Sequence, residues 1–128
     1  MPVPVPVPAP VARFSDRLDA ASYADDPEVG VYESDPSEDD SLWISERLFE
    51  RLTRVASAYE LHTLPMLGGT EPVRLNRVRC EGLLDEVAFV AERLNDPLAA
   101  DVAQSLTTYL TRRTWNPRWD AVVTFAGN

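Results

Sequence analysis

Apolar residues recur at steps of three and four along three stretches of this chain, the spacing that lines up side chains on one face of an α-helix. The first stretch covers about 37–62: Ile44, Leu48, Leu52, Val55 and Tyr59 form its stripe, widened by Phe49 and Ala56. Glu50 and Arg54 stand four apart on its outer face, in the favourable orientation for an ion pair. The second covers about 75–95, with Cys80, Leu83, Leu84, Val87, Ala91 and Leu94 facing inward. Gly82 interrupts it, so the pattern predicts either a close neighbour at that position or a late helix start. The third covers about 97–113. Asp96 caps it, Pro97 takes the first helical position, and Val102, Ala103, Leu106, Tyr109 and Leu110 form the inner face. Arg112 and Arg113 fall in its last turn, where the helix dipole favours positive charge.

Between the helical patterns lie short β-prone runs. "EVGVYES" (28–34) is bounded by the turn signals Asp26-Pro27 and Asp35-Pro36, and "WDAVVTFAGN" gathers Val122, Val123, Thr124 and Phe125 into a strand at about 119–126. "VARFS" (11–15) is a third candidate. The predicted fold is therefore α+β and helix-dominated: three amphipathic helices packed with a small antiparallel sheet of two or three short strands. Residues 1–12 begin with "MPVPVPVPAP", which reads either as a stiff solvated tail or as an edge strand. In an extended chain Val3, Val5 and Val7 present all their N–H groups to one side, while the prolines leave the other side without donors. Residues 13–128 are expected to form a single domain, in keeping with the common domain size of about 100–150 residues.

Charge changes this picture more than composition does. The apolar fraction, 45%, and the charged fraction, 26%, are ordinary. All twelve basic residues are arginine, which fits a GC-rich bacterial genome. Residues 1–40 carry ten acids and two arginines, whereas residues 41–128 carry eleven acids and ten arginines. The excess negative charge thus sits in the first third, mostly over 16–40, which argues against nucleic acid or an anionic membrane as its partner. No apolar run approaches the ~20 residues of a membrane span. Neither a signal-peptide pattern nor a second cysteine beside Cys80 is present, so a cytoplasmic location is expected.

The densest acidic run is "ESDPSEDDSLW" (33–43). Asp35-Pro36-Ser37-Glu38 has the form of a helix start, with Asp35 as cap, Pro36 first in the helix and Glu38 reaching back. Asp39 and Asp40 would then lie at the positive end of the helix dipole. That accounts for part of the cluster only, because Asp16, Asp19, Asp25, Asp26, Glu28 and Glu33 lie outside the cap. Glu33, Asp35, Glu38, Asp39, Asp40 and Trp43 are the candidate residues for gripping a basic protein surface.

A second charged run, "VRLNRVR" (73–79), places Arg74, Arg77 and Arg79 at the start of the second helix, where the dipole opposes them. Internal pairing with acids, Glu81 among them, is one compensation; a bound anion is the other. Trp115 and Trp119 flank an Asn-Pro turn and are expected to wedge over the end of the core. Gly68-Gly69 lies in a connecting turn that lacks the lysine of a phosphate loop. The single histidine, His62, falls near the end of the first helix, and with Cys80 it makes no metal-ligand spacing. No pattern marks a catalytic centre, a metal site or a cofactor.

The expected function is a small, acidic, non-catalytic protein-binding domain that neutralises a basic partner such as a toxin, a nuclease or an assembly subunit. Size and charge are shared with many inhibitors, including immunity partners of bacterial toxins, a likeness that carries over no residues. The alternatives are an assembly adaptor, homo-oligomeric or not, that uses the Pro-Val arm, and a small phosphate-binding protein or enzyme using the arginine cluster.

Overall fold

A computed structural model describes residues 23, 25–69 and 71–127. The Pro-Val segment, the "VARFS" run, Asp16 and Asp19 lie outside the described residues. Four strands form one antiparallel sheet: β1 (Glu28–Tyr32), β2 (Leu42–Ser45), β3 (Val73–Leu75) and β4 (Val123–Gly127). Among the described residues three α-helices accompany them: α1 (Glu46–Ala58), α2 (Arg77–Ala91) and α3 (Pro97–Thr114). The fold is α+β and helix-dominated, with four strands where two or three were expected.

The sheet order is β2-β1-β4-β3, so β2 and β3 are its edges among the described residues. Register sorts the side chains cleanly. Val29 pairs with Ile44, Val31 with both Leu42 and Phe125, and Leu75 with Val123. These residues share one core with Phe49 and Leu52 of α1, Leu83 and Val87 of α2, and Leu106 and Leu110 of α3. Burying each large apolar side chain contributes about 1.5–3 kcal/mol, so this single cluster supplies the main driving force. Positions of the opposite parity carry Trp43, Gly30, Ala126, Tyr32, Thr124 and Arg74.

Both additional strands come from segments read as helix. The capping chemistry of 35–38 is real: Glu38 Oε1 accepts from Ser34 N at 3.0 Å and Asp35 N at 3.1 Å, and Asp35 Oδ1 accepts from Ser37 N at 2.9 Å. It closes an isolated turn, not a helix. Leu42-Trp43-Ile44-Ser45 follows with period-two alternation and pairs with β1, so α1 begins only at Glu46. Asp39 and Asp40 are therefore far from any helix start, and the dipole explanation for them fails. Likewise, Val73-Arg74-Leu75 pairs with β4, and α2 starts after Asn76, whose side chain accepts from Arg79 N at 3.0 Å.

Gly82 has open space where a Cβ would sit, and it lies well inside α2, so neither expected reason for it holds. Gly68, with φ +80° and a prospective Cβ 3.0 Å from the Phe49 ring, is a turn glycine as expected. Glu86 Oε1 reaches from α2 to accept from Leu64 N at 2.8 Å, while its Oε2 accepts from Thr63 N at 2.9 Å. That pins the connection after α1.

Candidate protein-binding surface

The acid-rich stretch is the connection between β1 and β2, and a residue from the far end of the chain holds it in place. Arg113 lies one turn beyond Tyr109 on the buried stripe of α3, and only 10% of its side chain is exposed. Its Nε donates to Glu33 Oε1 at 2.8 Å, a second guanidinium nitrogen donates to Asp40, and a third donates to the Tyr109 carbonyl at 3.1 Å. Trp119 Nε1 donates to the same Glu33 oxygen at 2.6 Å. Burial works against the charge of Arg113, but Asp40, Tyr109 and Glu33 outweigh it and hold its pKa above the ordinary value. Removing one partner from such a pair leaves a buried charge uncompensated and costs about 3–5 kcal/mol.

Asp26, at the entry to β1, is held in the same manner. It accepts from Ser45 Oγ at 2.6 Å and takes Arg47 in a two-pronged pair, with Nε and a terminal nitrogen each at 2.8 Å. The Arg47 hydrogen bonds, then that of Ser45, hold its carboxyl below the usual range. Asp35 is held low by the Ser37 amide and hydroxyl.

The candidate residues thus fall into three groups. Glu33 and Asp40 are committed to Arg113. Asp35 and Glu38 spend their oxygens on backbone N–H groups of the turn but keep their charge. Asp39 is exposed and has no partner among the described residues. Eight carboxylates lie between residues 25 and 40, and among the described residues two arginines, Arg47 and Arg113, pair with them, which leaves a surplus of negative charge there. Trp43 follows this turn in β2, 49% exposed, its ring against Gly30. A Cβ on Gly30 would come 2.9 Å from that ring, so the glycine lets the tryptophan lie against the sheet.

The arginine cluster is resolved differently from either expectation. Arg77 donates from Nε to the Trp119 carbonyl at 3.0 Å and from its other nitrogens to the carbonyls of Thr114, at 2.6 Å, and Asn116. One partner, the Thr114 carbonyl, belongs to the last turn of α3, where positive charge is favoured, and the other two lie in the turn that follows it. Arg74 and Arg79 are exposed and unpaired among the described residues. The hollow beside Arg77 is bounded by Val78, Pro117, Arg118, Trp119 and Asp120, and includes neither Arg74 nor His62. Trp119 packs against the core as expected, whereas Trp115 is 84% exposed.

Among the described residues no group of three or more His, Cys, Asp or Glu could hold a metal ion. Burial pushes the Cys80 thiol up to about 11, so this cysteine is a poor nucleophile. No helix of the described residues is long and apolar enough to cross a membrane. The sequence placed Arg113 only in the last turn of a helix and did not show it as the anchor of the acidic turn. Its position four residues after Tyr109, on the apolar stripe itself, was the available signal. No family model matches this chain, and no curated protein or solved structure is significantly similar to it.

Proposed function

We propose that the protein is a non-catalytic binding domain that engages a basic surface of another protein through the 33–41 turn and Trp43. The carrying observation is the clamp itself. Arg113 fixes Glu33 and Asp40 at the two ends of the turn, so the charges of Asp35, Glu38 and Asp39 are presented from a preorganised loop. Little ordering entropy is then lost on association, and long-range attraction speeds the encounter. Trp43 adds a flat aromatic face next to the carboxylates, suited to a lysine stem or an arginine plane. An inhibitor or immunity-type protein works in this way.

The test is capture of partners from the native cell by the wild-type chain and by an Asp35→Asn, Glu38→Gln, Asp39→Asn variant. The amides keep the hydrogen-bond acceptors of the turn and remove three charges. The wild type should retain a basic partner at low salt, and the variant should bind it roughly tenfold more weakly, with the gap closing at high salt. Equal retention by both chains at low salt would contradict the reading.

A further inference from the structure

We infer that the basic partner is gripped through an extended segment that adds to the edge of β2, antiparallel to it, with alternate apolar side chains in the groove beside α3. This rests on the basic-partner reading and names the chemistry of the segment that the partner supplies. Hydrogen-bond parity shows what the edge offers. Glu46 N donates to the Pro27 carbonyl at 2.8 Å, and the register pairs Val29 with Ile44 and Val31 with Leu42. In an antiparallel ladder bonded and non-bonded pairs alternate. Leu42 and Ile44 therefore bond to β1, while Trp43 turns its N–H and its carbonyl outward and Ser45 its N–H. Among the described residues nothing meets them there.

Beside that edge runs a groove between β2 and α3. One part, a hollow of about 240 Å³, is lined by Leu42, Ile44, Leu48, Leu98 and Val102, with the exposed Asp101 on its wall. A second part continues from Leu42 and Ser105 to Tyr109, Asp40 and Arg112. The Tyr109 hydroxyl is buried without a hydrogen-bond partner. The groove is apolar beside Ile44 and polar toward the acidic turn.

The chemistry of the occupant follows position by position, because an extended chain sends successive side chains to opposite faces. The residue opposite Trp43 exchanges both main-chain bonds with it, and its side chain lies on the Trp43 face. A lysine or arginine there rests beside the exposed indole. Its two neighbours stand opposite Leu42 and Ile44 and enter the groove, where apolar side chains fit. A second basic residue, opposite Asp40, comes to the polar end, next to the turn that carries Asp35, Glu38 and Asp39.

Charge selects this edge over the other. Asp101 has no ion-pair partner among the described residues, and with Asp39 and Asp40 it outnumbers the exposed Arg112. The opposite edge, β3, carries the exposed Arg74, which repels a basic segment. Where an extended peptide joins a sheet, main-chain bonds supply affinity and the alternate side-chain pockets supply specificity.

The probe is the peptide acetyl-Thr-Val-Arg-Val-Thr-Arg-amide, titrated into the full chain at low salt alongside a copy N-methylated at its first arginine, the residue placed opposite Trp43. Methylation keeps the charge and removes the N–H that would go to the Trp43 carbonyl. The unmethylated peptide should slow amide exchange at Trp43 and Ser45, and the methylated copy should bind about tenfold more weakly. Equal binding of the two, with shifts at 35–41 and unchanged exchange at Trp43 and Ser45, would overturn the inference and leave the charge reading standing. Absence of shifts at 35–43 with either peptide would overturn both. Protection of Trp43 and Ser45 that rises with protein concentration in the absence of peptide would also overturn it, by assigning the edge to a second copy.

Discussion

The acidic turn at 33–41 and the basic run at 73–79 both close on the end of α3, yet they end in opposite electrostatic states. Trp119 serves both: its indole N–H goes to Glu33 and its carbonyl to Arg77. On the basic side one arginine is consumed by carbonyls and the two others stand apart. On the acidic side the arginines among the described residues are outnumbered, and three carboxylates without an arginine partner, Asp35, Glu38 and Asp39, are held together in one turn. Both junctions are structural at their centre. Only the acidic one leaves a concentrated residue of charge for an outside partner.

The largest effect should come from breaking the acidic junction. Arg113→Met leaves Glu33 and Asp40 without their cation and should lower unfolding free energy by about 3–5 kcal/mol, read from denaturant midpoints. On the basic side, Arg77→Met removes charged hydrogen bonds to the carbonyls of Thr114, Asn116 and Trp119 and should cost about 2 kcal/mol by the same measurement. A loss at Arg77 equal to that at Arg113 would erase the distinction between the junctions. Gly82→Ala, one turn into the helix that the basic run opens, should stabilise by about 0.5–1 kcal/mol, because its Cβ meets nothing. Arg74→Met and Arg79→Met should stay within about 0.5 kcal/mol, as exposed positions without partners do.

Acid sharpens the comparison further. The carboxyls of Asp26 and Asp35 are held below the ordinary aspartate value in the folded protein, Asp26 by Arg47 and Ser45 and Asp35 by the Ser37 amide and hydroxyl. Their contribution to stability is present above the unfolded value and is lost as pH falls through the lower folded values. Asp26→Asn should therefore flatten the decline of the unfolding midpoint below about pH 4, while Arg74→Met should leave that decline unchanged.

Much of the fold was legible because helix periodicity and burial agree. Cys80, Leu83 and Val87 of α2, Ala103, Leu106, Tyr109 and Leu110 of α3, the Asp96-Pro97 start and the Glu50–Arg54 pair stand where the pattern put them. Leu94, by contrast, falls beyond the end of α2, and the buried Val90 lies off the expected stripe. The two missed strands share a cause. Ile44 fits the stripe of α1 by spacing and fits β2 by alternation, and a four-residue window cannot separate these. Likewise Val73 and Leu75 sit too close to α2 for their period to show. The site was legible as composition only. That Glu33 and Asp40 meet Arg113 follows from the packing of α3 beside β2 across more than seventy residues, and no local pattern encodes it.

The most direct test of the central claim is a titration of the protein with a short oligolysine peptide, followed by amide chemical shifts at ~0.02 M and ~0.5 M salt. A preorganised acidic turn predicts shifts concentrated at residues 35–43, saturating at low salt and collapsing at high salt. Shifts spread evenly over exposed acids elsewhere, such as Glu60, Glu71 and Glu92, would contradict it.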